Sequence, residues 1–404
     1  MREALRLQPD FANAHDSLGH LLNRLGRWEE AEASVRTALR LNPQAANAHV
    51  TLGHIFRQVG RADEAQASYR AALSLRPDNA NCHAALGLAL LLAGDFEAGW
   101  EEYEWRWRAR GMVGERNRFP VPSWNGDPIG DRTILLHAEQ GHGDTLQFCR
   151  YVPQIASTAR TVLEVQPPLA RLLSRMPGPI VTVAGGDPLP AFDLHCPLMS
   201  LPRATGTTIT TIPGTTPYLA ADPADIVRWR ARLAGLSGLR VGLCWAGGGD
   251  ADPLTDARRS IALEMLSPLA EISGVSFVSL QKGRPAAQAT NPPGGMTLHD
   301  FTDELNDFAD TAALIDCLDL VISVDTAVAH LAGALDKPVW LLNRFDSCFR
   351  WLLSRDDSPW YPRLRQFRQP TPGDWSRVVG RARDALQRLA AGDARQLSPI
   401  GAPR

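Results

Sequence analysis

Small and apolar residues recur in the N-terminal part of the chain with a period of 34 residues. Five sets of positions keep this offset: Pro9/Pro43/Pro77, Asn13/Asn47/Asn81, Leu18/Leu52/Leu86, Gly19/Gly53/Gly87 and Gly26/Gly60/Gly94. Small residues let two antiparallel helices approach closely, and a proline stops the second helix before the next unit. The pattern predicts helical hairpins, with full units over 12–45 and 46–79.

The third unit departs from the repeat after Gly94. Gly99 and Arg106 stand where the pattern expects alanine, and four rings follow each other closely: Trp100, Tyr103, Trp105 and Trp107. These rings could stack a ligand, or cover the array where it abuts the next domain. The second interpretation is favoured, because terminal repeats are adapted to cover what they abut. The array resembles the tetratricopeptide repeat, which implies a helical domain over 1–110.

After a linker rich in Gly, Pro and Asn over 111–130, short apolar runs alternate with amphipathic stretches. Strands are predicted at Thr133–His137 and Thr161–Val165, with a helix over Asp144–Ser157 between them. A Pro-rich segment, 177–223, precedes a second series. Its predicted strands are Val241–Trp245, Val275–Leu280, Leu320–Val324 and Val339–Leu342, with helices near 263–272, 309–318 and 326–336.

This alternation of strands and helices predicts α/β structure with parallel sheets covered by helices on both faces. The two series predict two doubly wound lobes, over 131–225 and 238–392. In such lobes ligands bind at the carboxyl ends of the strands, and two facing lobes would form a cleft.

Composition narrows the class of protein. A chain of 404 residues is expected to hold two or three domains, and 44% hydrophobic residues exclude global disorder. A net charge of −2 lacks the excess of positive charge that is typical of proteins that bind nucleic acid. The six cysteines lie far apart, against a zinc site or a disulfide framework. Without an 18-residue apolar run or a leader at the start, we expect no membrane span and a cytoplasmic location.

The first motif that could carry chemistry is Gly141-His142-Gly143-Asp144, between a strand and a helix. Two glycines at this place suit a tight turn with exposed backbone N–H groups. The Lys and Ser/Thr of a Walker loop are missing, and Leu146 replaces the third glycine of a dinucleotide fingerprint. A carboxylate in a cleft can accept a proton from a hydroxyl, but Asp144 can equally be a helix cap.

The second motif is the end of the strand Leu320–Val324, followed by Asp325, Thr326 and His330. A helix that begins here presents free N–H groups, a hydroxyl and a positive dipole end, which together suit a diphosphate. His330 lies one turn deeper on the same face as Thr326. The alternative is that Asp325 caps the helix and His330 is a core histidine.

Two cations follow other predicted strands, Arg259 in Ala257–Ser260 and Lys282 in Ser279–Gly283. Both lie where the same ligand would bind, although solvated surface charge explains each equally well. The pair Asp250 and Asp252 has the spacing of metal-binding carboxylates, but it lies in a glycine loop and is interpreted as a coincidence. No metal site and no cofactor are predicted.

Several segments in one order resemble bacterial glycosyltransferases related to lipopolysaccharide heptosyltransferases. They are HAEQGHGDTLQFCRYVP, VGLCWAGG, RRSIALEML, VSLQKG, SVDTAVAHLAGALDKPVW and DSPWYPRLRQFRQ. The resemblance implies the two-lobed GT-B fold over 133–380. The fusion to tetratricopeptide repeats recurs in bacterial proteins and is more distantly similar to protein O-GlcNAc transferases.

By position, the resemblance implies that Asp144 is the general base on the acceptor hydroxyl. It implies that Asp325, Thr326 and His330 hold the phosphates and ribose of a nucleotide sugar, with Arg259 near the leaving diphosphate and Lys282 near the nucleotide. The chain departs from the family at His142, usually aliphatic, and at Ala327, often glycine. The expected function is metal-independent, inverting sugar transfer from a nucleotide-diphosphate donor, with a protein or peptide docked on the repeats. The alternatives are a non-catalytic scaffold with a degenerate transferase body and, disfavoured by Leu146, a dehydrogenase.

Overall fold

The computed structural model describes residues 2–109, 118–214, 216–248 and 253–399. The chain divides into two compact units, each assembled from more than one segment. The repeat unit comprises Met1–Pro120, Gly206–Thr210 and Phe345–Ser354, and the α/β unit comprises Val121–Thr205, Thr211–Arg344 and Arg355–Arg404. Two short segments that the sequence placed in the lobes therefore cluster with the repeats. Residues 111–117 of the predicted linker, and the pair Asp250 and Asp252, lie outside the described residues.

Helices of the repeat unit pack in successive pairs, α2 with α3, α4 with α5 and α6 with α7. Their bounds are α1 Arg2–Leu7, α2 Ala12–Arg24, α3 Trp28–Leu41, α4 Ala46–Gln58, α5 Ala62–Leu75, α6 Ala80–Ala93 and α7 Phe96–Tyr103. Alanines and larger apolar side chains from α2 to α6 form one continuous core. The 34-residue period thus corresponds to one helical pair, as predicted.

The repeated glycines and prolines have distinct structural roles. Gly26, Gly60 and Gly94 follow the first helix of each pair with φ of 74°, 76° and 90°, a conformation that favours glycine. Each repeat also contains a hydrogen bond that the sequence analysis did not foresee. Nε2 of His15, His49 and His83 lies 2.8, 3.1 and 2.7 Å from the carbonyl oxygen of the proline six residues earlier. These bonds fix the entry of the chain into each pair.

The aromatic run after Gly94 is mostly buried within the repeat unit. Trp100, Tyr103 and Trp107 are buried, and Trp100 packs edge-on against Phe349 with ring centroids 5.6 Å apart. Trp105 stacks on His83 of α6 at 3.9 Å. The rings that are buried act in packing within the repeat unit, which argues against a ligand stack.

The α/β unit contains two sheets whose strands are all parallel. The first has the order β3-β2-β1-β4 and the second β10-β9-β8-β5-β6-β7. The strands are β1 Thr133–His137, β2 Arg160–Val165, β3 Ile180–Ala184, β4 Leu194–Pro197, β5 Leu239–Cys244, β6 Val275–Ser279, β7 Leu298–His299, β8 Leu320–Val324, β9 Val339–Asn343 and β10 Leu364–Arg368. The predicted class, helical repeats followed by an α/β body with parallel sheets in two series, is confirmed.

Helices connect these strands. They are α8 His142–Phe148, α9 Val152–Ala156, α10 Pro167–Leu173, α11 Leu201–Ala204, α12 Pro223–Arg232, α13 Pro253–Arg259, α14 Phe308–Asp316, α15 Ala327–Ala334 and α16 Trp375–Ala390. Short 3₁₀ turns lie between some of them. In the part of the chain that is described, no helix combines the length and apolar character needed to cross a bilayer.

Several predicted elements differ from those observed. The Pro-rich segment 177–223 contains two strands that were not predicted, β3 and β4. The helix predicted over Asp144–Ser157 is divided into α8, a 3₁₀ turn and α9, and Pro153 occupies the first turn of α9. Residues Leu263–Glu271 form a 3₁₀ helix with Pro268 inside, because proline lacks the N–H that an α-helix requires.

Candidate active site

The turn after β1 places Asp144 at the start of α8. Gly141 is the N-cap, and its N–H donates to Oδ2 of Asp144 at 3.0 Å while its carbonyl oxygen accepts the N–H of Asp144 at 3.1 Å. Asp144 is therefore not the N-cap residue; it stands at the third position of α8, and its carboxylate caps the N–H of Gly141. These hydrogen bonds fix the partly exposed carboxylate of Asp144 at the carboxyl end of β1.

The turn after β8 begins α15. Thr326 is the N-cap, yet its side chain does not cap the helix. Its hydroxyl instead lies 3.0 Å from Oγ of Ser323, back toward the strand. The first-turn N–H groups of a helix have no partner within the helix, so the N-terminus of α15 keeps the positive character that suits an anion.

His330 lies one turn into α15 and is buried. Its Nδ1 is 2.8 Å from the hydroxyl of Tyr361, a hydrogen bond inside the unit. Burial raises the pKa of Tyr361 well above its ordinary value, so the hydroxyl stays protonated. His330 thus has the features of the core histidine that the sequence analysis offered as the alternative.

The two turns meet at Gly143. A β-carbon at this position would lie 3.0 Å from Cδ2 of His330 and 3.5 Å from Cα of Ala327. The two glycines were expected to allow a tight turn, but neither Gly141 nor Gly143 has a positive φ. Gly143 instead removes the bulk that would separate α8 from α15, so the start of one lobe's helix contacts the other lobe's helix directly.

Arg259 lies beside the start of α15. Its Nη1 donates to the carbonyl oxygen of Asp325 at 3.2 Å, while Nε and Nη2 lie 2.9 and 2.8 Å from Oδ1 of Asp256. Asp256, which the sequence analysis did not single out, orients the guanidinium. Gly247 leaves room for this pair, since a β-carbon there would overlap both side chains.

Lys282 is held differently. Its Nζ donates to the carbonyl oxygens of Thr302 and Leu305 at 2.7 and 3.0 Å.

The neighbouring Gln281 was not predicted as a site residue, and its side chain stabilises the loop after β5. Its Oε1 accepts the N–H groups of Trp245 and Ala246 at 3.0 and 2.8 Å, and its Nε2 donates to the Ala246 carbonyl at 3.0 Å. The only sequence signal for this stabilising role was the position of a glutamine at the carboxyl end of a predicted strand.

Comparisons with known proteins indicate the type of each domain. Models described as tetratricopeptide repeats match residues 1–49 and 53–94, and a model described as glycosyltransferase family 9 (heptosyltransferase) matches residues 305–343. The last segment contains β8, Thr326 and His330. The chain joins tetratricopeptide repeats to a heptosyltransferase-like domain.

Three proteins illustrate the similarity of this heptosyltransferase-like chain. Protein FlbA of Caulobacter vibrioides is 28% identical over 329 residues, covering 75% of this chain and 54% of FlbA. A glycosyl transferase family 9 structure from Veillonella parvula is 10% identical with a TM-score of 0.48, covering 66% of this chain and 99% of its own. The E. coli ADP-heptose lps heptosyltransferase II is 13% identical with a TM-score of 0.46, covering 64% and 100%. The chain spans about half the length of FlbA.

Proposed function

We propose that the α/β unit transfers a sugar from a nucleotide-diphosphate donor to a hydroxyl group, with inversion at the anomeric carbon. The observation that supports this is the contact of Gly143 with Ala327 and His330. It places the start of α8, where Asp144 follows Gly143, beside the start of α15. A proton acceptor and an anion-binding helix start at one place are the two groups that such a transfer requires.

The reaction proceeds in a single displacement. Asp144 accepts the proton of the acceptor hydroxyl, whose oxygen forms a bond to the anomeric carbon from the face opposite the diphosphate. The bond between that carbon and the diphosphate oxygen breaks, and the diphosphate leaves with the electron pair. Backbone N–H groups at the start of α15 and the guanidinium of Arg259 stabilise the charge that develops on it. These groups supply the positive charge for which other transferases use a divalent metal.

The variant Asp144→Asn tests the role of Asp144 as the general base. An asparagine amide oxygen still accepts the N–H of Gly141, so the cap and the fold are retained while the proton acceptor is lost. We expect kcat for nucleotide release to fall by about 10²–10⁴-fold, the contribution typical of general base catalysis. Donor binding measured by calorimetry should stay within a few-fold of the unmodified protein.

The unmodified protein and Asp144→Asn are compared with the same donor and acceptor and at equal fractions of folded protein. Full turnover by the variant would remove Asp144 from the reaction. Weaker donor binding with unchanged kcat would instead place Asp144 in the donor site.

We further propose that the repeats dock a polypeptide, either the acceptor or a partner. The support is the helical array itself, since stacked repeats present extended surfaces for partner segments. The competing function is a scaffold whose transferase body does not turn over. Calorimetry with UDP- and ADP-sugars separates the transferase from the scaffold, because a pure scaffold should bind neither sugar. A donor screen that measures nucleotide release identifies the nucleobase of the donor.

A further inference from the structure

A buried arginine lies behind the site, where three parts of the α/β unit come together. Arg150 follows α8 in a 3₁₀ turn and is 4% exposed. Its Nε donates to the carbonyl of Gln147 at 2.9 Å, and Nη1 donates to the carbonyl oxygens of Trp360 at 2.9 Å and Pro213 at 3.4 Å. Nη2 donates to the Tyr218 hydroxyl at 3.1 Å. One side chain thus joins α8 to residues 63 and 210 positions further along the chain.

None of these four acceptors is charged. The guanidinium carbon lies 4.6, 5.3 and 5.0 Å from the ring centroids of Tyr218, Trp360 and Tyr361, so aromatic faces surround the cation. Because a guanidinium is a rigid planar fork, bonds to fixed carbonyl oxygens set direction as well as distance. The cluster of Arg150, Tyr218, Trp360 and Tyr361 therefore holds an orientation of the surrounding elements.

The same cluster grips α15 at its far end. The N–H groups of Tyr218 and Leu219 donate to the carbonyl of Ala334, the last residue of α15, at 3.1 and 3.3 Å. The Tyr218 hydroxyl donates to the carbonyl of Leu146 in α8 at 2.8 Å. The helices that carry Asp144 and His330 thus touch at Gly143 and are tied together again through Arg150 and Tyr218.

We infer that Arg150 is a positioning residue for the proposed transfer: it fixes α8, which carries Asp144, relative to α15, which begins the anion site. This inference rests on the proposed function. A carboxylate and a leaving group held on different lobes react only when the lobes are correctly oriented, and displacement of a reacting group by ~1 Å costs about 10²-fold in rate. Arg150 acts through the orientation of the two helices.

Three variants test the inference. Arg150→Met fills a similar volume and removes all four donated bonds, and we expect kcat to fall about 10²-fold with KM for the donor changed less than about threefold. Arg150→Lys keeps the charge without the planar fork and should be intermediate. Arg171→Met is the matched control. Arg171 of α10 binds Asp307 and Asp310 across the lobes at 2.7 and 2.8 Å but is half-exposed, and its loss should leave kcat nearly unchanged.

A chemical rescue distinguishes positioning from general stabilisation. A cavity of about 400 Å³, lined in part by Arg150, Pro153 and Tyr218, gives a small cation access to this place. Millimolar guanidinium should restore part of the kcat lost in Arg150→Ala, while the same concentration of urea should not. A purely structural role would change the folded fraction but not the kcat of the folded molecules, and guanidinium would not raise that kcat.

Lobe orientation is also measured without any turnover. Spin labels on Val181 in β3 and Arg377 in α16, both exposed, should give a narrow distance distribution that Arg150→Met broadens and Arg171→Met does not. Labelling uses a background in which Cys348, which is less buried than the other cysteines, is serine. If the unmodified protein releases nucleotide from no donor, the proposed function fails while the label distances still test the orientation. Unchanged kcat and unchanged distances in Arg150→Met would overturn the inference.

Discussion

Two histidine–tyrosine pairs, one in each unit, have nearly the same geometry. In the repeats the Tyr69 hydroxyl lies 2.8 Å from Nδ1 of His54, and in the α/β unit the Tyr361 hydroxyl lies 2.8 Å from Nδ1 of His330. In each pair a glycine on the histidine's own helix faces the tyrosine ring, Gly53 in α4 and Gly333 in α15. In both units, therefore, a helix packs through a glycine that faces the ring of a tyrosine hydrogen-bonded to a histidine of the same helix.

The pairs differ in what else the histidine touches. His54 lies among groups of its own repeats, and burial with the nearby Arg57 and His20 lowers its pKa to about 3. His330 contacts Gly143, which belongs to the other lobe of the α/β unit. A buried, hydrogen-bonded histidine therefore does not by itself indicate chemistry. His330 differs from His54 because it contacts Gly143, in the turn that also carries the carboxylate of Asp144.

Adding one carbon to each glycine should give the largest effect. In Gly53→Ala the new β-carbon would lie 2.5 Å from Cε1 of Tyr69, and in Gly333→Ala it would overlap the ring of Tyr361. Both rings are buried, so we expect each variant to lose about 3 kcal/mol in the free energy of unfolding. Only Gly333→Ala should also lower kcat, by about tenfold, because moving Tyr361 displaces His330.

Urea unfolding and nucleotide release below the unfolding transition measure the two quantities. Gly380→Ala in α16 is the control, since, apart from the adjacent residues and the nearby backbone of its own helix, no atom lies within 4 Å of the added carbon. It should stabilise by up to ~1 kcal/mol through helix propensity. Equal loss of kcat in Gly53→Ala and Gly333→Ala would contradict the distinction between the pairs.

In the repeats, the close approach of a glycine to the next helix could be predicted from sequence, because this contact is local and recurs with the 34-residue period. Gly19, Gly53 and Gly87 each lie 16 residues before the residue they face, Val35, Tyr69 and Tyr103. The period therefore shows the contact three times. At the candidate site, Gly143 faces a histidine 187 residues away, and no repetition reveals such a contact. The motifs and the resemblance selected Asp144, Thr326 and His330, but not the reason for a glycine between the lobes.

Two of the residues that the sequence missed have partners that are distant and uncharged. Arg150 and Gln281 bind mainly backbone oxygens and N–H groups of remote segments, and no charge pattern marks such partners. The strands β3 and β4 were missed for another reason. They are five and four residues long and lie among prolines and glycines, whose turn signal outweighed the short apolar runs.

Removing the two hydroxyls should give an intermediate effect. Tyr69→Phe and Tyr361→Phe each take away the hydrogen bond to the histidine Nδ1, at a cost of about 1.5 kcal/mol in the free energy of unfolding. We expect only Tyr361→Phe to change turnover, by a few-fold in kcat, since the ring that orients His330 stays in place. Thermal unfolding and nucleotide release are measured on both variants in parallel. A change of turnover in Tyr69→Phe at full folding would show that the two pairs are not separate in function.

The smallest effect is the pH dependence of the repeat pair. The pKa of His54 is about 3 in the folded protein and about 6.5 when unfolded, so folding favours the neutral ring. Its contribution to stability is complete above the unfolded pKa and is lost as the pH falls toward the folded one. Lowering the pH from about 7 to about 6 should therefore cost about 0.7 kcal/mol through this group.

Urea unfolding of the full chain and of His54→Gln, each at the two pH values, isolates that contribution from the other histidines. Glutamine keeps an acceptor for the Tyr69 hydroxyl and does not titrate, so the difference between the two proteins should carry the whole slope of His54. If the difference is independent of pH, the ring is not held neutral by burial. The repeat pair would then be more open to water than its geometry indicates, and its likeness to the pair at His330 would end at the distance between the two atoms.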